Sequence, residues 1–142
     1  MNYKVAIASD HAGFKLKQLI KQTLKTEYVF MDLGTHDEES VDYPDIANEL
    51  VKVIEFKEID TGILVCGSGI GMSIAANRNK NIRAALCNNE YMVKLAREHN
   101  DANILVLGSK IIDHDIAIKC VRTFLNTAFE GGRHSIRIDK LS

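Results

Sequence analysis

Six residues in the middle of the chain, Cys66-Gly67-Ser68-Gly69-Ile70-Gly71, join a thiol to three glycines at alternate positions. The run Ile63-Leu64-Val65 before them reads as a buried strand, and Ser73-Ile74-Ala75-Ala76-Asn77 after them reads as a helix. Glycines at such a junction let the backbone turn sharply and leave its N–H groups uncovered. The helix start adds unpaired N–H groups and the positive end of its dipole. The expected product is a cradle for a small anion or a developing oxyanion, with sulfur at its lip. It is neither the dinucleotide fingerprint, because Met72 stands where the third glycine belongs, nor a P-loop, which needs a Lys. A free Cys at a strand end is ordinarily a small buried hydrophobe. Beside a helix N-terminus it is equally suited to reaction.

Other candidates flank this loop in sequence. Asp10-His11 follows the first apolar run, either as a polar pair facing a substrate or as an N-cap with a surface His. His99 follows Met92, Leu95 and Ala96 at helical spacing, which aims it inward or into an interface as a candidate acid/base. A His at a helix C-terminus is also favoured by the dipole alone. Arg133 and Arg137, at i and i+4, would share a face if helical and could clamp a phosphate. Otherwise they are a solvated basic end. Cys87 and Cys120 fall on core positions. Asp113-His114-Asp115 reads as a loop and cap, and no HxxxH or HxH spacing occurs among the five His. No metal site and no cofactor are expected.

Alternating apolar runs and helical stripes must position these residues. Strands are expected at Val5–Ser9, Tyr28–Leu33, Gly62–Cys66, Ile82–Cys87 and Ile104–Leu107, each buried on both faces of a parallel sheet. Helical spacing links Leu16, Leu19, Ile20, Thr23 and Leu24. Pro44 opens a second helix through about Val53. Ala117, Cys120, Val121 and Phe124 mark the last stripe, capped by Asp113 or Asp115. The loop Gly34–Tyr43 is acidic, and the tail from Glu130 reads as irregular and basic. The pattern predicts one α/β domain over residues 1–142, a three-layer α/β/α sandwich with a basic tail from about 127 to 142. Ligands of such sheets bind beyond the strand ends at the switch in strand order, where the loops after strands 1 and 3 would meet.

Composition narrows the class. At 46% apolar and 26% charged residues the chain is an ordinary globular domain, and a net charge of −1 gives no bulk attraction to nucleic acid or membrane. No apolar run reaches the ~18 residues of a spanning helix. Met1-Asn2-Tyr3-Lys4 leads straight into a strand without a signal-peptide layout. Three scattered cysteines without CxxC suit a reducing, cytoplasmic setting.

Taken in order, five stretches resemble the ribose-5-phosphate isomerase B family, which also contains allose-6-phosphate isomerase and the galactose-6-phosphate isomerase subunits. They are Ser9-Asp10-His11-Ala12-Gly13-Phe14-Lys15-Leu16-Lys17, Asp42-Tyr43-Pro44, Cys66 to Gly71, Arg97-Glu98-His99-Asn100-Asp101-Ala102-Asn103 and Glu130-Gly131-Gly132-Arg133-His134. The resemblance spans essentially the whole chain. It implies a Rossmann-like, metal-free aldose–ketose isomerase acting on ribose 5-phosphate through a cis-enediol(ate). It also implies a homodimer, or a dimer of dimers, with shared active sites.

By the same resemblance Cys66 would be the base, assisted by Ser68. The N–H groups of Gly67, Ser68, Gly69, Ile70 and Gly71 would hold the enediolate. His99 and Asp10 would serve ring opening, Asn100 would bind sugar and Tyr43 would line the pocket. His11, Arg133 and Arg137 would hold the phosphate. Lys110 stands where the family commonly has Arg, which keeps the charge but not the bidentate fork. Allose 6-phosphate or galactose 6-phosphate as substrate, or a non-catalytic sugar-phosphate sensor, are the nearest alternatives. A dinucleotide-binding domain, with Asp32 as the ribose-binding acid, is the most distant.

Overall fold

Runs rich in Val, Ile, Leu and Ala become strands, and the helical periods between them become helices. In chain order the elements are β1 Tyr3–Ser9, α1 Phe14–Leu24, β2 Tyr28–Asp32, α2 Tyr43–Glu55, β3 Gly62–Cys66 and α3 Ile70–Asn77, then β4 Ala84–Leu86, α4 Glu90–Glu98, β5 Ile104–Gly108, α5 His114–Asn126 and α6 Arg133–Asp139. The computed structural model describes residues 3–141. Met1, Asn2 and Ser142, which the expected domain and the signal-segment reading include, lie outside the described residues.

The strands form one parallel sheet in the order β2-β1-β3-β5-β4. The expected three-layer sandwich follows, because right-handed crossovers dictate which face each helix takes. Passing outward from β1 to β2 puts α1 on one face. Passing back to β3, and on to β4, puts α2 and α3 on the other. The chain then reverses from β4 to β5, so α4 returns to the face of α1. One core accordingly joins Val5, Ile7, Leu16, Ile20, Val93, Ala96, Val121 and Phe124. The opposite core joins Ala6, Ala8, Leu50, Ile54, Met72 and Ala76.

Several expectations are corrected. Only β3 and β5 are buried at every position, and the end of β1 with them; β2 alternates and β4 is half-buried throughout. These last two are the sheet edges, where one side of the strand has no neighbour. β2 therefore stops at Asp32 rather than Leu33, and β4 shrinks to three residues with Ile82 outside it. In α1, Leu19 and Thr23 are exposed and Lys17 takes a buried position. In α4 the buried stripe is Val93 and Ala96, so Met92 faces out and the helix is turned relative to the expected stripe. The tail is not irregular. Residues 133–139 form α6, with Gly131 and Gly132 at positive φ turning the chain into it. Asp113 caps α5 as expected, accepting a hydrogen bond from Asp115 N at 2.9 Å.

Candidate active site

The loop after β3 leaves the sheet toward α3, while its neighbours after β1 and β5 leave toward α1 and α5. A crevice opens between them at the carboxyl ends of the strands. Ser109 Oγ donates to Ala12 O at 2.8 Å and ties the two flanking loops together. The β3 loop is held from the other side as well, by Ser109 N on Cys66 O at 2.8 Å and Lys110 N on Gly67 O at 2.9 Å.

Cys66 ends β3, 5% exposed, and its Sγ accepts a hydrogen bond from Gly69 N at 3.2 Å. Ser68 Oγ accepts from Ile70 N at 3.2 Å. Gly69 has φ +81°, a conformation that L side chains rarely adopt. Gly71 lies under the Tyr43 ring, where a Cβ would sit 2.5 Å from a ring carbon. Tyr43, the first residue of α2, thus packs directly on the start of α3. The other two thiols are sealed in the α1-side core. Burial, then mutual repulsion with Cys120, pushes Cys87 up to about 12, and burial, then Glu90, pushes Cys120 up to about 11. Cys66 is the thiol at the crevice.

Across the crevice, buried Asp10 accepts a hydrogen bond from Gly13 N at 3.0 Å, which fixes its carboxylate at the start of α1. His11 Nδ1 accepts from Val41 N at 3.2 Å. An acceptor role at Nδ1 places the proton on Nε2, so the free side of this ring is a donor suited to an anion. The exposed Lys110 runs its stem beside Gly67, its Cδ 3.6 Å from where a Cβ would stand. Asp10, His11, Tyr43, Cys66, Ser68, Lys110 and the glycine loop therefore lie together at the carboxyl ends of the strands.

His99, Asn100, Arg133 and Arg137 do not join them. His99 caps the C-terminus of α4, which runs antiparallel to the strands, so it lies at the opposite end of β5, about 13 Å of strand away. The tail is bound there too. Glu130 N donates to Glu98 O at 3.1 Å, and His134 of α6 stacks on His99 with ring centroids 4.4 Å apart. Arg133 and Arg137 are exposed and have no carboxylate partner within 4.0 Å among the described residues.

The grouping of His134 and Glu130 around His99 is not legible in the sequence, because no two His stand at ligand spacing. Its one signal was the i, i+4 spacing of Glu130 and His134. Burial first, then the charges of Arg133 and His99, hold the His134 imidazole below the usual histidine range, while Glu130 pulls the other way.

A cavity of about 690 Å³ at that same end, lined by Tyr3, Arg83, Arg97 and Asp101 among others, is a structural seam. Its guanidinium groups are consumed internally, by Asp101, Ala102 O and Thr127 O. Asp32 is likewise taken, by Lys17, Lys21 and Gly34 N, so it is no ribose-binding acid.

An open parallel sheet with a thiol and a helix-borne cradle at its switch point is the architecture of a small-molecule α/β enzyme. Comparison with known proteins narrows that class. The family described as Ribose/Galactose Isomerase matches residues 5–141, and the chain belongs to this family. Ribose-5-phosphate isomerase B of Escherichia coli is 38% identical over 98% of this chain and 94% of its own length. The crystal structure of a ribose 5-phosphate isomerase from Thermotoga maritima superposes with a TM-score of 0.96 at 54% identity, covering 99% of this chain and 98% of that one. The structure of ribose-5-phosphate isomerase B from Mycoplasma genitalium with bound ribulose 5-phosphate gives 0.92 at 44% identity, covering 99% and 95%.

Proposed function

We propose that this protein is an aldose–ketose isomerase interconverting ribose 5-phosphate and ribulose 5-phosphate. The observation that carries the reading is Cys66 beside the glycine cradle at the start of α3, in a chain of this isomerase family. Cys66 removes the C2 proton of the open-chain aldose, and the electron pair moves onto O1 as a cis-enediolate. Return of the proton to C1, with transfer of the O2 proton to O1, gives the ketose. Gly69 and Ile70 N–H are engaged by Cys66 Sγ and Ser68 Oγ, so the N–H groups of Gly67, Ser68 and Gly71 remain for the enediolate. In studied enzymes a single such donor contributes about 2.7–4 kcal/mol to the transition state.

Placement of His99, Asn100, Arg133 and Arg137 at the far end of the sheet supports a homodimer in which each crevice is completed by a second copy. There Asp10 and the partner's His99 handle ring opening, and the partner's Asn100 binds sugar. His11, Lys110 and the partner's Arg133 and Arg137 hold the phosphate, remote from the reacting carbons, so binding energy orients them. No helix among the described residues is long and apolar enough to cross a membrane; with the reduced-cysteine pattern this supports a cytoplasmic enzyme. The family description also names galactose, so turnover is to be measured side by side on ribose 5-phosphate, allose 6-phosphate and galactose 6-phosphate. Ribose 5-phosphate should be turned over fastest. In that assay Cys66→Ala should abolish isomerisation while leaving folding and ribose 5-phosphate binding intact. Near wild-type turnover of the variant would remove Cys66 as the base.

A further inference from the structure

The tail gathers a second set of side chains capable of chemistry, away from the Cys66 crevice of its own chain. His99, Glu130 and His134 offer ligand atoms that all lie within 4.8 Å of one another. Both imidazoles turn Nε2 toward the same carboxylate oxygen, Glu130 Oε1, at 3.8 Å from His99 and 3.6 Å from His134. These separations are too long for hydrogen bonds. His134 is only 4% exposed, and its Nε2 is buried without any hydrogen-bond partner. A buried nitrogen left in that state is a cost to the fold unless something occupies it. The convergence is built in by backbone contacts, Glu130 N to Glu98 O at 3.1 Å and His134 N to Gly131 O at 3.2 Å.

We infer that His99, Glu130 and His134 form a three-ligand site for a divalent transition-metal ion of the zinc type. Two imidazole nitrogens and one carboxylate oxygen select against magnesium and calcium, which take oxygen donors. Three protein ligands with a fourth position open to water is a stable zinc arrangement, at about 2.0–2.2 Å per ligand. The three atoms need only draw together around the ion. The rings now lie face to face, 16° from parallel, so one must tilt to aim its lone pair. His99 is the ring with room within its own chain, its side chain 38% exposed at the end of α4 beside the 47% exposed Glu130, and in the proposed dimer an ion enters through the shared crevice. Filling the site occupies the His99 nitrogen and slows ring opening, a consequence that rests on the role given to His99 above.

Titration of the full-length protein with Co2+ tests the site. Uptake of one ion per chain is expected, with the visible bands of a nitrogen–oxygen site and no thiolate-to-cobalt charge transfer. Glu130→Gln, an exposed and shape-preserving change, and His134→Gln should each weaken Zn2+ binding by more than the roughly 10–100-fold that loss of an outer-shell partner costs, measured against a chromogenic chelator. Cys66→Ser should leave it unchanged. Zn2+ should slow wild-type isomerisation and lose potency against Glu130→Gln by the same factor as its affinity. No stoichiometric uptake, a thiolate band that Cys66→Ser removes, or unweakened binding by a folded Glu130→Gln protein would overturn the site. Binding at these residues with no change in turnover would keep the site and sink the assignment of His99 to catalysis.

Discussion

The Asp32 carboxylate, at the end of β2, takes hydrogen bonds from Lys17 Nζ at 2.8 Å, Lys21 Nζ at 2.8 Å and Gly34 N at 2.9 Å. Lys17 has no exposed side-chain surface, and it also donates to Thr35 O. The pair thereby holds the start of the loop whose Val41 N fixes the His11 ring. Partial burial alone would raise the Asp32 pKa, but the donors from Lys17, Lys21 and Gly34 outweigh it and hold the carboxyl below its usual range. A carboxylate depressed in the folded state stabilises the fold above its unfolded value and loses that contribution as pH falls through the folded one. Asp32→Asn strands the buried Lys17 ammonium and should cost about 3–5 kcal/mol at neutral pH, by denaturant unfolding. The gap to wild type should narrow below about pH 4, where Asp32 begins to protonate in the unfolded chain while the folded carboxylate stays ionised to lower pH. A gap of constant size from pH 7 to pH 3 would show that the ion pair is not its source. Lys17 could not be picked out in the sequence, because its burial depends on a partner fifteen residues on and not on the apolar period of α1.

Edges decide what happens at the scale of elements. β4 has β5 on one side only, and an open strand edge invites another chain. Here Asn77, the last residue of α3, closes it. Its Nδ2 donates to Ala84 O at 2.9 Å and its Oδ1 accepts from Ala84 N at 2.8 Å, as a neighbouring strand would do. Asn77→Leu removes both bonds and should destabilise the fold by about 1–3 kcal/mol. It should also raise the protein's tendency to associate at high concentration, followed by light scattering. Unchanged stability and scattering would show that solvent serves the edge equally well.

The same distinction explains what the sequence disclosed. Central β3 was readable to the residue, because burial on both faces leaves an uninterrupted apolar run. β2 and β4 were drawn too long, since edge strands mix exposed and buried positions. The place of β5 between β3 and β4 was not readable, because each strand reports its own burial and not its neighbour. For α6 the sequence offers only the i, i+4 spacing of Arg133 and Arg137. The helix is seven residues long and buries only His134, so there is no stripe to find; its anchor is a stack on a residue more than thirty positions away.

For the whole molecule, the decisive fact is that one chain carries the Cys66 crevice residues and the His99 and tail residues at opposite ends of its sheet. The crevice set was legible because the loops after β1, β3 and β5 all sit at one end of a parallel sheet. His99, Asn100, Arg133 and Arg137 sit at the other end because α4 runs back down the sheet and the tail docks on its terminus. A loop rearrangement that brought them to Cys66 within one chain would have to break the backbone bond from Glu130 to Glu98 and the imidazole stack. A two-fold partner needs no such change, since an isologous pair sets each half-site against its complement. The proposal has a direct test. Cys66→Ala and His99→Asn homodimers should each be nearly inactive, because both lesions then fall in every site. In a hybrid dimer one crevice carries both lesions and the other carries neither. Random exchange between equal amounts should therefore restore about a quarter of wild-type sites. Recovery should appear in kcat per chain, with KM at the wild-type value, since the restored sites are unaltered. If the mixture stays as inactive as its parents after subunit exchange is verified by mass, then Cys66 and His99 act within a single chain, and the shared site is wrong.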